Sequence, residues 1–261
     1  MLPVFALEII GHRGASYDAP ENTLSAFKLA LEHDADAIEL DIHLTRDGKI
    51  AVLHDYDLKR VAGVEVKVAE SSLAELKKAN VADFGKWKGK GLSEKVPALS
   101  EVLKVVPASK RVVIEIKCHE EVLPALAETF ASSDLKPQQL PIITFHYEVA
   151  RAAKARFPKH EVFWLHGWSK DQPNPTVDEL ISKAKEAGVD GLNLNQGFPI
   201  DRVFVEKIHA AGLKLYTWTV NDAAIAGLQR SAGVDGITTD RPGWLRAQLE
   251  NAREKPSNPR P

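Results

Sequence analysis

Two acids separated by one residue, Glu39 and Asp41, stand in the stretch AIELDIHLTRDGKIAVLHD, residues 37–55. The runs AIELDIHLT and KIAVLHD, joined at Asp47-Gly48, have the composition of a strand, a tight turn and a returning strand. Side chains alternate along a strand, so Glu39, Asp41 and His43 share one face, with the two carboxylates about 7 Å apart. Ile38, Leu40 and Ile42 share the other face, and His54 closes the returning run. Like charges repel, and the usual reason for two carboxylates to converge is a hard divalent cation. The run VVIEIK repeats the spacing with Glu115 and Lys117. A third acid makes an all-oxygen set with room for waters and substrate, which suits Mg2+ or Ca2+ better than zinc. His12 and His54 could serve as base and acid, both having ordinary pKa values near 6.5. Arg13 and Lys117 offer fixed positive charge for a phosphoryl oxygen. The plainer alternatives are an ion-pair ring of the acids with Lys117 and Arg13, and histidines that merely fill a core.

Other polar residues carry weaker signals. Asn22, ahead of the apolar positions Leu24, Phe27 and Leu31, reads as a helix N-cap, with Glu21 able to add a contact to the site. Trp218 in YTWTVN fits either core packing or a substrate platform. His33, His119, His160 and His209 fall on helices or connections and read as surface residues.

Apolar strand-like runs alternate with amphipathic stretches along the chain. Strands are expected at 7–11, 37–44, 111–117, 140–145, 161–166, 191–195, 214–220 and 236–240. Helices are expected at 22–32, 120–132, 147–156, 177–187, 202–211, 222–231 and 243–252. Eight β/α repeats with near-continuous apolar strands predict an α/β fold closed as a (β/α)8 TIM barrel. An open doubly wound sheet competes, but no glycine-rich phosphate loop follows the first strand. Gly-Val-Asp-Gly recurs at 188–191 and 233–236 and reads as helix-ending turn chemistry. In a barrel the strand ends surround one mouth. The polar residues at those ends, from His12 and Arg13 through Glu39, Asp41, His54, Glu115, Lys117, Thr144, Asn193 and Asn195 to Trp218 and Asp240, would then meet there.

One stretch breaks the alternation. Residues 56–110 exceed an ordinary βα connection and read as an insertion with a helical piece at 71–80 and the loop FGKWKGKG. The insertion could be a satellite cluster or a lid over the site. Residues 1–250 are thus expected to form one domain carrying this insertion, and 251–261 a loose polar tail. Hydrophobic content of 44% supports a well-buried core. A net charge of -2 with intermixed signs points away from nucleic acid and toward a small-molecule ligand drawn by a local site. No apolar run reaches the roughly 20 residues of a membrane span. MLPVFALEIIGHRG lacks a basic leader, and the single cysteine, Cys118, fits a reducing compartment, so a cytoplasmic location is expected. Periodicity separates no exposed seam from core, which leaves the oligomeric state unassigned.

These motifs resemble a known family. GHRG, PENTLSAF, ELDIHLTRDGKIAVLHDYDLKR, VPALSEVL, IEIK, WTVN and DGITTDRPG are similar, in this order, to the motifs of the glycerophosphodiester phosphodiesterase family. The resemblance runs from about Gly11 to Gly243. It implies a barrel with a small insertion after the HD motif, and metal-dependent hydrolysis of glycerophosphodiesters to glycerol 3-phosphate and an alcohol. Glu39, Asp41 and Glu115 would be the metal ligands, His12 and His54 the acid and base, and Arg13 and Lys117 the phosphate contacts; apart from the resemblance, Trp218 is expected as a substrate contact from its place at a strand end. Thr144 stands where the family often has serine. Attack by the glycerol 2-hydroxyl would pass through a cyclic phosphate that water then opens. Rival expectations are a cyclising phospholipase or sphingomyelinase D-like lyase, a non-catalytic binder of glycerophosphodiesters, and an aldolase with a Schiff base on Lys117.

Overall fold

The structure is a computed structural model that describes residues 7–254. Its first half contains β1 (Glu8–Gly11), α1 (Leu24–Glu32), β2 (Ala37–Leu44), β3 (Ile50–Val52), α2 (Lys59–Ala62), α3 (Leu73–Leu76), α4 (Leu99–Val105) and β4 (Arg111–Ile116). From there the alternation is regular: α5 (Leu123–Ala131), β5 (Ile142–Thr144), α6 (Tyr147–Arg156), β6 (Val162–His166), α7 (Val177–Ala187), β7 (Gly191–Asn195), α8 (Arg202–Ala210), β8 (Lys214–Trp218), α9 (Ala223–Ala232), β9 (Gly236–Thr239) and α10 (Pro242–Glu254). Parallel strands pair in the order β1-β9-β8-β7-β6-β5-β4-β2, and β1 returns to β2. That last pairing closes an eight-stranded (β/α)8 barrel and removes the edges an open sheet would expose. β3 lies antiparallel to β2, with Ile42 opposite Val52 and Leu44 opposite Ile50, so the acid-bearing strand ends in a hairpin.

Each strand is buried on both faces, which explains its apolar run. Ile38, Leu40, Ile42, Val112, Ile114 and Ile116 face the helices and join the main core. Ile10, Ala37, Val113, Ile143, Phe163, Leu165 and Tyr216 fill the barrel interior. The repeated Gly-Val-Asp-Gly has two different jobs. Gly188 and Gly233 end helices in the left-handed conformation, at φ 70° and 99°. Gly191 and Gly236 instead make room inside the barrel, since a Cβ on Gly236 would lie 2.3 Å from the Tyr216 ring.

Three expectations need correction. A helix absent from the expected set, α4, lies within the stretch read as insertion, and its Leu99, Val102 and Leu103 pack in the main core. It is the barrel's own second helix, so the inserted part is shorter than 56–110. The helical piece expected over 71–80 is only Leu73–Leu76, opened by a capping box of Ser72 and Glu75. At the end of the chain, α10 continues to Glu254, where a loose tail from 251 is expected; residues 255–261 lie outside the described residues. The remaining insertion has a small core of its own around Leu53, Leu58, Val61, Val68, Leu76, Val81 and Val96, as a satellite cluster requires. Among the described residues no helix is long and apolar enough to cross a membrane.

The floor of the barrel is charged. At the N-terminal ends of the strands, Arg111 donates to Glu8 at 2.6 Å and to the Tyr216 hydroxyl at 3.2 Å, while Tyr216 donates to Glu8 at 2.7 Å. Glu161 accepts from both Arg111 and Lys214.

Candidate active site

At the opposite end, strand register brings the acids together. Asp41 on β2 is paired directly with Glu115 on β4, and Glu39 lies two residues back on the same face. One oxygen from each of Glu39, Asp41 and Glu115 falls within a group no wider than 4.8 Å, and all three residues are buried. Lys117 Nζ stands 2.7 Å from Glu115 and 3.6 Å from Asp41 Oδ1. Arg13 Nε lies 3.2 Å from Asp41 Oδ2, an ion pair whose angle is too oblique for a hydrogen bond. The ion-pair ring therefore exists but is incomplete: two cations serve three acids, and Glu39 is left with a single hydrogen bond, from the Arg13 backbone N–H at 2.9 Å.

The protonation pattern follows from this crowding. Burial, then the charges of Asp41 and Glu115, push the Glu39 carboxyl well above the ordinary range. Burial and Asp41 raise Glu115 to about 7 against the pull of Lys117. Burial pushes Asp41 up too, but Arg13 and Lys117 outweigh it and hold Asp41 below its usual value. Without a cation, the three acids cannot all ionise cheaply. Glu39 Oε1 and Asp41 Oδ1 are buried without a hydrogen-bond partner, a costly condition that a cation would relieve. The set is all carboxylate oxygen, so the residues fit a hard ion such as Mg2+ or Ca2+.

The chain reaches this mouth through tightly specified turns. Arg13 adopts φ 52° and Gly14 φ 84°, and a Cβ on Gly14 would lie 2.5 Å from the Ala26 backbone. Gly14 is therefore required where this loop folds against α1. Asn22 differs from its expected role. Thr23 is the N-cap, its hydroxyl accepting from the Ala26 N–H, while Asn22 sits at φ 56° and donates its amide to Asp41 Oδ2 at 2.8 Å. Asparagine tolerates that left-handed backbone, which frees its side chain to orient the acid. Glu21 does reach the site, accepting from Arg13 Nη1 at 2.9 Å.

Both histidines are anchored by carboxylates. His12 Nδ1 lies 2.6 Å from Asp240 Oδ1, and Asp240 also accepts from Ser16 Oγ and Asn221 Nδ2. His54 Nδ1 lies 2.6 Å from Asp55 Oδ1, and Arg60 grips Asp55 with two nitrogens and Glu21 with two contacts. Burial opposes ionisation of Asp240, but hydrogen bonding and charge from His12 win and hold it at about 2. Burial likewise opposes the Asp55 charge, yet Arg60 and His54 bring it to about 2. An ionised carboxylate only accepts, so Nδ1 must be the protonated nitrogen in each ring. In the neutral ring this leaves Nε2 of both histidines without a proton and able to accept one. Burial, helped by Arg13 and Lys117, keeps His54 below its ordinary value despite Asp41.

His12, Arg13, Glu39, His54, Glu115, Lys117 and Trp218 all line one cavity of about 130 Å³. Trp218 is both packed and cavity-lining. Its indole donates to the Asn193 carbonyl at 3.1 Å and meets the Phe145 ring edge to face at 5.3 Å, while also forming a cavity wall. Thr144 and Asn195 instead do local work, Thr144 donating to Ile116 O and Asn195 accepting from the Gly197 N–H. His43, on the same face as the acids, is buried and contacts the His54 carbonyl through Nε2 at 3.1 Å. His33, His119 and His209 are exposed as expected, but His160 is not. It is buried, with Nδ1 3.0 Å from the Leu140 carbonyl and its ring stacked on Phe130. Lys117 does not suit Schiff-base chemistry: burial would lower it, but Glu115 and Asp41 raise it and keep the amine protonated.

Residues 12–244 match the model of the Glycerophosphoryl diester phosphodiesterase family. The chain is 31% identical over 242 residues to a glycerophosphodiester phosphodiesterase of Caldanaerobacter subterraneus subsp. tengcongensis, covering 91% of this chain and 95% of that protein. Its fold is similar to that of an Oleispira antarctica phosphodiesterase in complex with the product sn-glycerol-3-phosphate, with TM-score 0.79, 30% identity and coverage of 94% and 98%. A glycerophosphodiester phosphodiesterase of Thermotoga maritima is similar at TM-score 0.74 and 26% identity, covering 93% of this chain and 98% of that one.

Proposed function

The chain belongs to the glycerophosphoryl diester phosphodiesterase family, and from that premise we propose that it hydrolyses glycerophosphodiesters to sn-glycerol 3-phosphate and an alcohol with a divalent cation. The observation that carries the reading is the convergence of three carboxylates, two of which, Glu39 and Glu115, line one cavity with two histidines whose Nδ1 atoms are each held by an aspartate. The Oleispira antarctica complex with sn-glycerol-3-phosphate supports the same class of substrate.

Glu39, Asp41 and Glu115 would hold Mg2+ or Ca2+, which when bound supplies Lewis acidity toward a phosphoryl oxygen and the glycerol 2-hydroxyl. Arg13 and Lys117 bind the remaining phosphoryl charge. Nε2 of one histidine takes the proton of the 2-hydroxyl, and Nε2 of the other protonates the departing alcohol. Because nucleophile and phosphorus belong to one molecule, the chain need only hold the glycerol arm in line, and the entropic barrier falls. Water then opens the cyclic phosphate with the two histidines exchanging roles. Asp240 and Asp55 hold each ring in the tautomer these transfers require.

Glycerol 3-phosphate release from glycerophosphocholine tests the reading. Chelation is expected to abolish release and returned Mg2+ or Ca2+ to restore it. His12→Ala or His54→Ala is expected to lower turnover by about 10² to 10⁴-fold each. Release unaffected by chelation and by both substitutions would overturn the reading, whereas accumulation of a cyclic phosphate as final product would move it to the lyase.

A further inference from the structure

The cavity that holds the acids opens past His54, Glu115, Lys117 and Phe145 into a second, wider cleft of about 590 Å³. The inner cavity is narrow and walled by Ile143, Leu165, Asn193 and Trp218, dimensions that suit one small arm of a diester. A phosphate seated at the shared wall must therefore send its second arm outward. The outer cleft has a definite chemistry. Tyr56 and Phe145 line it and are 63% and 40% exposed, an unusual display of aromatic surface beside a catalytic opening. Tyr56 is nonetheless fixed in place, its hydroxyl donating to the Lys117 carbonyl at 3.0 Å and its ring meeting His43 edge to face at 4.9 Å.

The cleft carries one carboxylate with no cation of its own. Asp57 lines it, and its only hydrogen bond is one accepted from the Lys59 backbone N–H, leaving the carboxylate without an ion pair among the described residues. Beyond His146 the surface continues into a hollow lined by Glu120 and Glu121. Lys117, with Nζ 5.7 Å from the Phe145 ring, stands at the wall shared with the inner cavity, where it pairs with Glu115 and Asp41 and, in the reaction assigned above, meets the phosphate. Aromatic faces combined with an unpaired carboxylate recognise compact organic cations.

We propose that the outer cleft is the leaving-alcohol subsite and that Tyr56, Phe145 and Asp57 make it select a cationic alcohol, of the amino-alcohol or quaternary-ammonium class, over a neutral polyol. This rests on the reaction assigned above. Exposed cation–π contacts of this kind alter binding by a few-fold to about tenfold.

The experiment compares kcat/KM for glycerophosphocholine and glycerophosphoglycerol in the metal-loaded protein. The choline ester is expected to be favoured by about fivefold. Tyr56→Leu and Asp57→Asn are each expected to erase the preference by raising KM for the choline ester, leaving the glycerol ester within about twofold. Tyr56→Phe keeps the ring and should keep the preference, which separates recognition from damage to the fold. Calorimetric titration with free choline gives an answer that does not depend on turnover. Saturable binding weakened by Tyr56→Leu is expected, whereas absent binding, binding unaltered by that substitution, or equal losses on both esters would overturn the subsite. If neither ester is cleaved while choline still binds at the cleft, the cation-binding site stands, and the assigned reaction falls together with the leaving-alcohol role.

Discussion

The barrel carries a charged cluster at each end, and the two are built on different plans. At the floor, Glu8 and Glu161 are matched by Arg111 and Lys214, with the Tyr216 hydroxyl bridging Glu8 and Arg111. At the mouth, Glu39, Asp41 and Glu115 share Arg13 and Lys117; Glu39 and Asp41 each keep a buried oxygen without a hydrogen bond, as Glu8 does at the floor, so what differs is the ratio of acids to cations. Both clusters contain buried ionisable groups, so burial of charge alone marks neither as functional. Convergence of like charge does: the floor spends its acids on its own cations, whereas the mouth holds acids in surplus for something the chain does not supply.

Neutralising one acid should therefore have opposite consequences at the two ends. Glu39→Gln or Glu115→Gln is expected to cut kcat/KM by roughly 10³-fold, a loss of several kcal/mol of charge stabilisation, while thermal stability in chelator holds or rises. Retained activity with a collapsed melting temperature would show the mouth to be structural after all. At the floor, Arg111→Met is expected to cost about 2 to 3 kcal/mol. The usual figure for breaking a buried pair is reduced because the side chain is 22% exposed. Activity per folded molecule should stay within about twofold, as assayed on the urea-titrated population.

A third and smaller effect separates the ends by pH. In chelated protein the folded Glu115 carboxyl titrates at about 7, above its ordinary 4.5. Below pH 4.5 it is protonated folded and unfolded alike and affects nothing. As pH rises from 4.5 to 7 the unfolded chain releases its proton while the folded chain retains it, so stability declines and the penalty is complete above 7. A fall in melting temperature of about 5 °C across that window is expected. It should shrink in Glu115→Gln, where the raised Glu39 carboxyl still contributes a loss of the same sign, and shrink with Mg2+; a flat profile in chelator would mean that the surplus charge is relieved some other way.

Local chemistry was readable and distant chemistry was not. The Glu39-x-Asp41 and Glu115-x-Lys117 spacings work within one strand, and strands buried on both faces announce themselves by near-continuous apolar runs, as in residues 112–116, where Glu115 is the one interruption. α4 escaped because seven residues follow directly on an insertion and carry too few turns to show a period. Asp240 was visible as a polar strand end, yet nothing near it in sequence says that it holds His12. Asn22 looked like a cap because asparagine caps helices well, and only the fold shows that its amide is engaged by Asp41. His160 reads as a surface residue because it falls on a connection, whereas its ring packs between Phe130 and Phe157. Such partnerships depend on where the barrel closes, which no local window contains.

The closure of the barrel has a consequence in time. Glu39, Asp41 and Glu115 all lie in the first half of the chain, but the carboxylate that orients His12 arrives 228 residues later. It comes into place only when β9 docks beside β1, with Thr239 against Gly11. A chain emerging from the ribosome thus carries its acids long before it can hold its first histidine in working order. On the function proposed above, competence is deferred to the last strand, and a chain ending before β9 is expected to be inactive whatever else it has managed to fold.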